Sequence, residues 1–220
     1  HKIICVSEGV KHDIFKNTFI NKNKLMRIYN PIPDHGYRIK NNKSEKFKII
    51  SVGRLKNQKN HFLLIDAIKL LNENTKKNII VNIIGDGDLK EKLQNYINKN
   101  NLNNIIKILG FKKNPMKYVA DSNLFVLSSD YEGLPTVLIE ASYTGIDIIS
   151  TDCPYGPSEI LKNYSNSTLV SIKNSILMSD TIEKYYKKKF NNFSQKETLD
   201  KSFLPNTVFE QYYSVIYSNE

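Results

Sequence analysis

The sequence predicts an α/β fold, namely a Rossmann-like parallel sheet with helices on both faces. Short apolar runs typical of buried strands alternate along the chain with segments of helical periodicity, the order expected for a parallel sheet covered by helices. Glycines follow several of these segments, at Gly53, Gly85, Gly110 and Gly145. Ligands bind to open α/β sheets at the carboxyl ends of the strands, so the loops after the strands are the first place to look for a site.

The first 46 residues predict a small α/β piece followed by a connection. Residues 2–7 favour a short buried strand, residues 8–17 a helix and residues 24–29 a second strand. Pro31 and Pro33 then end any regular structure, because proline fixes its own φ and restricts the residue before it. The residues from 34 to 46 are polar and charged, as expected of a linker.

Six further strands and six further helices are predicted. The strands are short apolar runs bounded by turn signals, at residues 47–53, 78–85, 105–110, 124–128, 146–150 and 168–172. The helices show apolar residues three and four apart, or begin at or just after a proline such as Pro115 and Pro135. They are expected at residues 60–71, 88–99, 115–120, 136–144, 180–189 and 205–217.

The net charge of +10 is compatible with nucleic acid, an anionic membrane surface or compositional bias. Lys is far more common than Arg and recurs beside Asn, as in residues 21–24 and 98–101. Arg is the more specific phosphate ligand, since its planar guanidinium binds bidentately. We therefore predict no nucleic-acid binding and leave open a weak peripheral contact with a membrane.

Length, hydropathy and cysteine usage favour a cytoplasmic protein. No apolar run approaches the ~20 residues that a membrane span needs. Cys5 and Cys153 lie far apart in unrelated contexts, which suggests neither a disulfide framework nor a zinc motif. The chain starts at His1 without an initiator Met or a signal-peptide pattern. We expect it to be cut from something longer, in the cytoplasm and, as an open alternative, at the inner face of the cell membrane.

The segment from Glu132 to Glu140 is the most informative stretch of the chain. Its two carboxylates lie eight residues apart, one in the loop after a strand and one inside the following helix. Backbone N–H groups at a helix N-terminus bind phosphate, and carboxylates accept hydrogen bonds from sugar hydroxyls. The segment therefore fits a sugar-nucleotide site, and it equally fits an ordinary strand-to-helix crossover with two solvent-facing glutamates.

A second candidate loop follows the strand at residues 47–53. Arg54 and Lys59 come after Gly53 at the ligand edge of the predicted sheet and precede a helix. Arg can clamp a diphosphate bidentately and Lys can supply a point charge, although a solvated basic loop is the alternative in a Lys-rich chain. The loop lacks the Gly-Lys-Ser/Thr pattern of a P-loop.

Three other loops carry weaker signals. Gly85-Asp86-Gly87-Asp88 could hold a cation through its carboxylates, but a turn in which Asp88 caps the next helix is the better interpretation, and we predict no metal site. The loop at residues 110–115 could present backbone groups to a base. In the loop at residues 151–160, Tyr155 and Glu159 could face a ligand or simply lead into a capped helix.

Taken in order, these pieces resemble the retaining glycosyltransferases of the large family-four group, which have the GT-B fold. The resemblance covers about residues 1–165 and rests on Gly53-Arg54-Leu55…Lys59, Gly85-Asp86-Gly87, Leu109-Gly110-Phe111, Glu132-Gly133-Leu134-Pro135…Glu140 and Gly156…Glu159-Ile160. It implies the C-terminal half of a GT-B fold. The implied domains are residues 1–33, the tail of the N-terminal acceptor domain; 34–46, a linker; 47–195, a nucleotide-sugar-binding domain; and 196–220, a helical extension.

The resemblance also implies a role for each matching residue. Arg54 and Lys59 would hold the donor diphosphate, Glu132 would contact the donor sugar, and Glu140 would bind the ribose. The catalytic set would therefore be Arg54, Lys59 and Glu132. The donor-binding set would be Gly53, Phe111, Lys112, Gly133, Leu134, Pro135, Thr136 and Glu140.

The implied activity is transfer of a hexose or N-acetylhexosamine from a UDP-sugar, with retention, to a glycan or lipid-linked acceptor in bacterial surface polysaccharide synthesis. We expect no cofactor and no required metal, because fixed cations and helix N–H groups stabilise the leaving diphosphate. The acceptor site would lie in the N-terminal domain, so this chain should bind donor but transfer poorly alone. A UDP-sugar epimerase of the same architecture and a non-catalytic nucleotide-binding module remain as alternatives.

Overall fold

A computed structural model describes residues 2–39, 45–188 and 200–217. The chain begins with β1 (Ile3–Cys5), α1 (Glu8–Asn17) and β2 (Leu25–Arg27). The two strands pair in parallel as a separate two-stranded sheet. The side chain of Ser7 caps α1 by accepting a hydrogen bond from the N–H of Val10 at 3.1 Å, the arrangement that satisfies an otherwise unpaired donor at a helix start.

The other six strands form one parallel sheet in the spatial order β5-β4-β3-β6-β7-β8. Their backbones pair in parallel throughout. The largely apolar composition of these strands follows from this arrangement, because a parallel sheet is covered on both faces. The strands are β3 (Phe47–Val52), β4 (Ile79–Ile84), β5 (Ile106–Gly110), β6 (Leu124–Leu127), β7 (Asp147–Thr151) and β8 (Ser167–Val170).

Helices cover both faces of this sheet. They are α2 (His61–Leu70), α3 (Glu73–Lys77), α4 (Lys90–Lys99), α5 (Pro115–Ala120), α6 (Thr136–Thr144), α7 (Pro157–Leu161), α8 (Ser175–Lys188) and α9 (Pro205–Tyr217). The buried side chains of α2, α4 and α8 form one core with the sheet, and those of α5, α6, α7 and α9 form the other. Along β3 and β6 the side chains alternate between the cores: Ile49 and Val126 enter the first, Ile50 and Phe125 the second.

The first and last described segments meet on the second face. Ile28 and Ile32 are buried in the second core, and the N–H of Ile32 donates to the carbonyl oxygen of Phe203 at 2.8 Å. The rings of Tyr29 and Phe203 lie 4.4 Å apart. The small β1–α1–β2 piece is therefore joined to the sheet domain by apolar packing as well as by the chain itself.

The structure confirms the predicted parallel α/β sheet with helices on both faces. Four helices have the predicted bounds, at residues 8–17, 115–120, 136–144 and 205–217, and the other predicted elements are present with shifted ends. The helix predicted from residue 88 begins at Lys90 with Leu89 at its cap position, so the prediction that Asp88 caps it is wrong. The helix predicted from residue 180 already begins at Ser175, where Asn174 Oδ1 accepts from Leu177 N–H. Sequence patterns missed α3, whose residues Glu73-Asn74-Thr75-Lys76-Lys77 have no apolar stripe.

Three sequence predictions fall on residues outside the described ranges. They concern residues 40–44 of the expected linker, Lys189 at the end of an expected helix, and the expected domain boundary between residues 195 and 196. Among the described helices, none has the length and apolar character to cross a bilayer.

Candidate functional site

The loops after β3 and β4 are joined to each other through their backbones. The N–H of Leu55 donates to Asp86 O at 2.9 Å, and the N–H of Leu89 donates to Leu55 O at 3.0 Å. Gly85 has a φ of +151°, and a Cβ at this position would overlap the carbonyl oxygen of Gly53. Glycine is required here because one loop packs directly on the backbone of the other, so this glycine shapes the edge of the sheet rather than leaving room for a ligand.

The side chains of Lys59 and Glu132 meet at this edge. Lys59 Nζ lies 2.5 Å from Glu132 Oε1, and the two side chains are 16% and 6% exposed. Ser129 Oγ donates to the same carboxylate oxygen at 2.6 Å, and Gln58 Nε2 donates to the other at 3.3 Å. A largely buried carboxylate is stable only when it is paired and its lone pairs are used. Both conditions are met for Glu132.

Further hydrogen bonds join the two loops that carry this pair. Ser128 Oγ donates to Lys59 O at 3.0 Å, and the N–H of Asp130 donates to Gln58 O at 2.9 Å. Asn60 Nδ2 donates to Asp130 Oδ1 at 2.9 Å. The loops after β3 and β6 therefore hold a fixed relationship, which follows from the adjacency of these strands in the sheet.

The turn from Gly133 to Thr136 leads from the pair into α6. Pro135 occupies the cap position and Thr136 begins the helix, so Pro135 lies one residue before the first helical position that suits it. The main chain of Glu132 exchanges two hydrogen bonds with the 154–155 segment: its N–H donates to Pro154 O and its carbonyl accepts from the N–H of Tyr155, both at 2.7 Å. The 154–155 segment therefore fixes the start of this turn by hydrogen bonds, and the N–H groups of the α6 N-terminus lie at its other end.

Three of the predicted residues lie around this centre without joining the ion pair. Arg54 is exposed in the loop that also carries Gly53. Phe111, after β5, is 75% exposed, and the ammonium of its neighbour Lys112 lies 6.0 Å from the ring centroid of Tyr118. An exposed aromatic ring at the ligand edge of a sheet is available for stacking on a planar group.

Glu140 occupies a different environment from Glu132. It lies in the middle of α6 and lines a small pocket with His35 and Tyr37 from the connection and with Met116 and Tyr143 from the helices. Burial raises the pKa of Glu140 above its usual range, and the nearby His35 opposes that shift. The structure therefore separates the two carboxylates chemically, because one is ion-paired and the other is half-buried and available to accept hydrogen bonds.

Sequence reasoning missed three polar residues at the site. Ser129 and Gln58 bind the carboxylate of Glu132.

His61 is the third of these residues; it begins α2 and is 3% exposed. Burial, and then the charge of Lys59, lowers its pKa to about 4, although the adjacent backbone of Gly53 and Arg54 favours the charged ring. Neither ring nitrogen has a well-formed hydrogen bond among the described residues. A signal was available, namely a histidine two residues after Lys59 at the start of an apolar helix.

The Asp86 loop has the character of a turn. Asp86 Oδ1 accepts from the N–H of Gly87 at 2.9 Å, and its other carboxylate oxygen lies 3.6 Å from Lys90 Nζ. Within the described ranges, no three His, Cys, Asp or Glu side chains are grouped so that they could hold a metal ion.

The structure is thus a Rossmann-like sheet with an ion-paired carboxylate and exposed Arg and aromatic side chains at its carboxyl edge, the edge at which open α/β sheets bind ligands. Comparison with known proteins makes this specific. Residues 36–200 match the family described as glycosyl transferases group 1. The chain therefore belongs to that family, and the predicted GT-B type of fold is confirmed.

Individual relatives agree with this assignment. The chain is 33% identical over 199 residues to the N-acetylgalactosamine-N,N'-diacetylbacillosaminyl-diphospho-undecaprenol 4-alpha-N-acetylgalactosaminyltransferase of Campylobacter jejuni, covering 85% of this chain and 53% of the relative. It is 30% identical over 220 residues to the capsular polysaccharide biosynthesis glycosyltransferase CapH of Staphylococcus aureus, covering 97% of this chain and 60% of the relative. The chain thus spans little more than half the length of these two relatives.

Solved structures share the fold. The crystal structure of Anabaena HepE in complex with UDP superposes with a TM-score of 0.82 at 18% sequence identity, covering 99% of this chain and 64% of that one. At this level of identity the likeness concerns the arrangement of the elements.

Proposed function

We propose that this chain is the donor-binding part of a retaining glycosyltransferase. The enzyme would transfer a hexose or N-acetylhexosamine from a UDP-sugar to a glycan or lipid-linked acceptor in bacterial surface polysaccharide synthesis. The observation that carries the proposal is the Lys59–Glu132 pair at the carboxyl edge of the sheet, directly before the N-terminus of α6. The names of the Campylobacter and Staphylococcus relatives and the UDP held by HepE support the substrate class.

Lys59 and Arg54 are the proposed diphosphate ligands. A Lys ammonium has three donor hydrogens, and one of them is directed at Glu132. The other two are available for phosphate oxygens. Arg54 follows Gly53 in the same loop and is exposed, so it can turn toward the same phosphates and bind bidentately. Together the two cations would offset the charge of the diphosphate without a metal.

The N-terminus of α6 is the proposed third contributor. Its first N–H groups have no partner within the helix, and they favour an anion both by hydrogen bonding and through the helix dipole. The backbone from Gly133 to Thr136, which includes Leu134 and Pro135, would cradle the sugar and its phosphate. When the bond between the anomeric carbon and the phosphate oxygen breaks, the electron pair leaves with the diphosphate, and these fixed groups stabilise it.

The remaining residues would bind the rest of the donor. Glu132 would accept a hydrogen bond from a sugar hydroxyl at the one lone-pair site of its carboxylate that Lys59, Ser129 and Gln58 leave free. Glu140 would accept from the ribose hydroxyls. Phe111 would stack on the base, with Lys112 beside it. In this proposal the donor lies across the edge of the sheet from β6 to β5.

A thermal-shift panel of nucleotides and nucleotide sugars tests the proposal. A ligand that binds the native state raises its stability by mass action, by about 2.7 kcal/mol at a hundredfold excess over Kd. We expect UDP and at least one UDP-sugar to raise the melting temperature, and the full-length protein to transfer that sugar to an acceptor with retention. Stabilisation by UDP without any sugar preference in the full-length protein would favour a non-catalytic module, and conversion of the UDP-sugar without an acceptor would favour an epimerase.

A further inference from the structure

The carboxylate of Glu159 binds the beginning of α1, a helix that lies 151 residues earlier in the chain. Its two oxygens lie 3.1 and 3.0 Å from the N–H of Glu8, the first residue of the helix. Tyr29 donates its hydroxyl to the same carboxylate at 2.6 Å. A carboxylate at a helix N-terminus is stabilised by the free N–H groups and by the helix dipole, so Glu159 acts as a cap supplied from another part of the fold.

Tyr29 is itself held in place for this contact. The guanidinium of Arg27 lies 4.1 Å from the centre of its ring, and Arg27 Nε donates to the Glu8 carboxylate at 3.2 Å. Burial, and then the hydrogen bond with Glu159, raises the pKa of Tyr29 far above its usual range. The hydroxyl therefore stays protonated and remains a donor to Glu159.

The same end of α1 touches the turn that we assign to the donor sugar. Ser7, the cap residue of α1, donates its hydroxyl to the carbonyl oxygen of Gly133 at 3.0 Å. Ser7 and Glu8 are adjacent, so one end of the helix is bound on one side by Glu159 and on the other by the residue after Glu132. A movement of α1 at its N-terminus would move the carbonyl of Gly133 with it.

A close packing contact completes the interface. A Cβ at Gly9 would lie 2.5 Å from atoms of the Tyr155 side chain, so α1 approaches this ring as closely as a glycine allows. Tyr155 also donates its hydroxyl to Asp13 Oδ1 at 3.3 Å, and its N–H donates to the carbonyl of Glu132. The turn after β6 is therefore held between α1 and the 154–155 segment.

We propose that Glu159 is a positioning residue for sugar transfer. It fastens the β1–α1–β2 piece to the sheet domain so that Ser7 and Tyr155 hold the Glu132–Gly133 turn in the geometry that a sugar-bearing donor needs. The inference rests on the proposed function of that turn. Catalytic groups must be held to within a fraction of an ångström. Loss of Glu159 should therefore weaken the use of the sugar more than the binding of UDP, because the assigned UDP ligands Glu140 and Phe111 lie in α6 and directly after β5, outside the turn that Ser7 and Tyr155 hold.

The test compares Glu159→Ala with wild type in the full-length protein. We expect kcat/KM for sugar transfer to fall about tenfold or more, the scale of losing hydrogen bonds to a charged group, while the Kd for UDP alone changes less than about twofold. Tyr29→Phe, which removes one of the hydrogen bonds, should give a smaller loss. In the double variant the two losses should not add, because both residues act through the same contact.

Glu183→Ala is the matched control. Its carboxylate also accepts three hydrogen bonds, from Asn72 N–H at 3.1 Å, Asn72 Nδ2 at 2.6 Å and Thr75 Oγ1 at 2.9 Å, but these join α8 to α3. We expect this variant to lower the melting temperature while leaving the ratio of UDP-sugar to UDP affinity unchanged. If both variants lower transfer equally, or if Glu159→Ala weakens UDP and UDP-sugar equally, Glu159 has a general structural role and the inference is wrong.

Hydrogen exchange separates this inference from the proposed function. In Glu159→Ala the amide of Glu8 should exchange at least about tenfold faster than in wild type, because its hydrogen-bond partner is lost. If wild type binds no UDP-sugar, the proposed function fails whatever the exchange data show. If wild type binds and transfers the sugar but the exchange of the Glu8 amide and the kcat/KM are the same in Glu159→Ala, the proposed function stands and the role of Glu159 is overturned.

Discussion

Lys59 and Glu132 are 73 residues apart in sequence, and their side chains form an ion pair of 2.5 Å at the carboxyl edge of the sheet. Each residue lies in a loop after one of two neighbouring strands, β3 and β6. The pair is largely buried and carries extra hydrogen bonds from Ser129 and Gln58. It is therefore both a structural contact and the proposed centre of the donor site, and substitutions can separate these two roles.

Removing only the cation should cost more stability than removing both charges. Lys59→Met leaves the Glu132 carboxylate without its cation, which we expect to destabilise the fold by about 3 kcal/mol. The double variant Lys59→Met with Glu132→Gln should lose less, because no charge is stranded. Urea unfolding measures both. As a control, Lys76→Met breaks a pair whose acid, Glu73, is 79% exposed, and it should cost less than about 1 kcal/mol. Equal losses for the single and double Lys59 variants would show that the charge of Glu132 is not stranded.

Arg54→Ala should weaken donor binding without weakening the fold. Its side chain is exposed, so urea unfolding should give a change within about 0.5 kcal/mol. Calorimetry should show at least a tenfold loss of UDP-sugar affinity, because a bidentate contact with the diphosphate is removed. Lys92→Ala removes another exposed cation, from α4, and serves as the control. Unchanged affinity in Arg54→Ala would remove Arg54 from the proposed site.

The two glutamates should respond differently to the sugar. Glu140→Gln should weaken UDP and UDP-sugar alike, since its proposed partner is the ribose. Glu132→Gln should weaken mainly the UDP-sugar, since its proposed partner is the sugar. We expect about a tenfold effect in each case, the scale of one charged hydrogen bond. Calorimetric titration of both variants with UDP and with the UDP-sugar gives the four dissociation constants needed. If Glu140→Gln weakened mainly the UDP-sugar and Glu132→Gln weakened both ligands alike, the two proposed roles would be exchanged.

Gly85→Ala should be far more harmful than Gly36→Ala. Both glycines have positive φ, +151° and +72°, but a Cβ at Gly85 would overlap Gly53 O, whereas a Cβ at Gly36 meets nothing within 4 Å. Gly36→Ala should therefore cost about 1–2 kcal/mol of backbone strain. Gly85→Ala should cost more than that and should also weaken UDP-sugar binding, because it pushes the Gly53–Arg54 loop outward. Similar melting temperatures for the two variants would show that the predicted overlap with Gly53 O does not destabilise the fold.

His61 should make the fold less stable in mild acid. Its pKa is lowered to about 4 in the folded chain from about 6.5 in an unfolded one. Between these values the unfolded state binds the extra proton, so stability is complete above pH 6.5 and falls as the pH drops toward 4, by about 3 kcal/mol in all. His61→Leu should remove this slope from unfolding curves measured between pH 4 and 7. His12→Leu, at an exposed position of α1, should keep it.

The sequence predicted the fold well because the information was local. Short apolar runs and the three-to-four spacing of apolar residues located the strands and helices, and α3 was missed since five polar residues show no such spacing. The common edge of Lys59 and Glu132 was predictable, because the carboxyl ends of all strands in a parallel sheet lie on one side. Their direct contact depends on β3 lying beside β6, an order that no local pattern encodes.

Most of the residues that sequence reasoning missed have the same explanation. Ser129 and Gln58 are single polar residues whose roles appear when the loops after β3 and β6 come together, whereas the burial of His61 follows from its place at the start of the apolar helix α2. The contact of Glu159 with Glu8 joins positions 151 residues apart, and neither residue lies in a pattern that requires the other. Long-range polar contacts of this kind are set by the packing of whole elements, so the sequence could supply candidates such as Glu159 but not their partners.

The hydrogen bonds between residues 57–60 and residues 128–132 have a consequence for protein engineering. Ser128 and Asp130 bind the main chain of the first loop, and Asn60 binds the side chain of Asp130. A graft that brings in a donor-specificity loop from another enzyme at one of these places would leave the host loop with mismatched partners. The two loops should therefore be exchanged as a single cassette, even though they are encoded far apart in the gene.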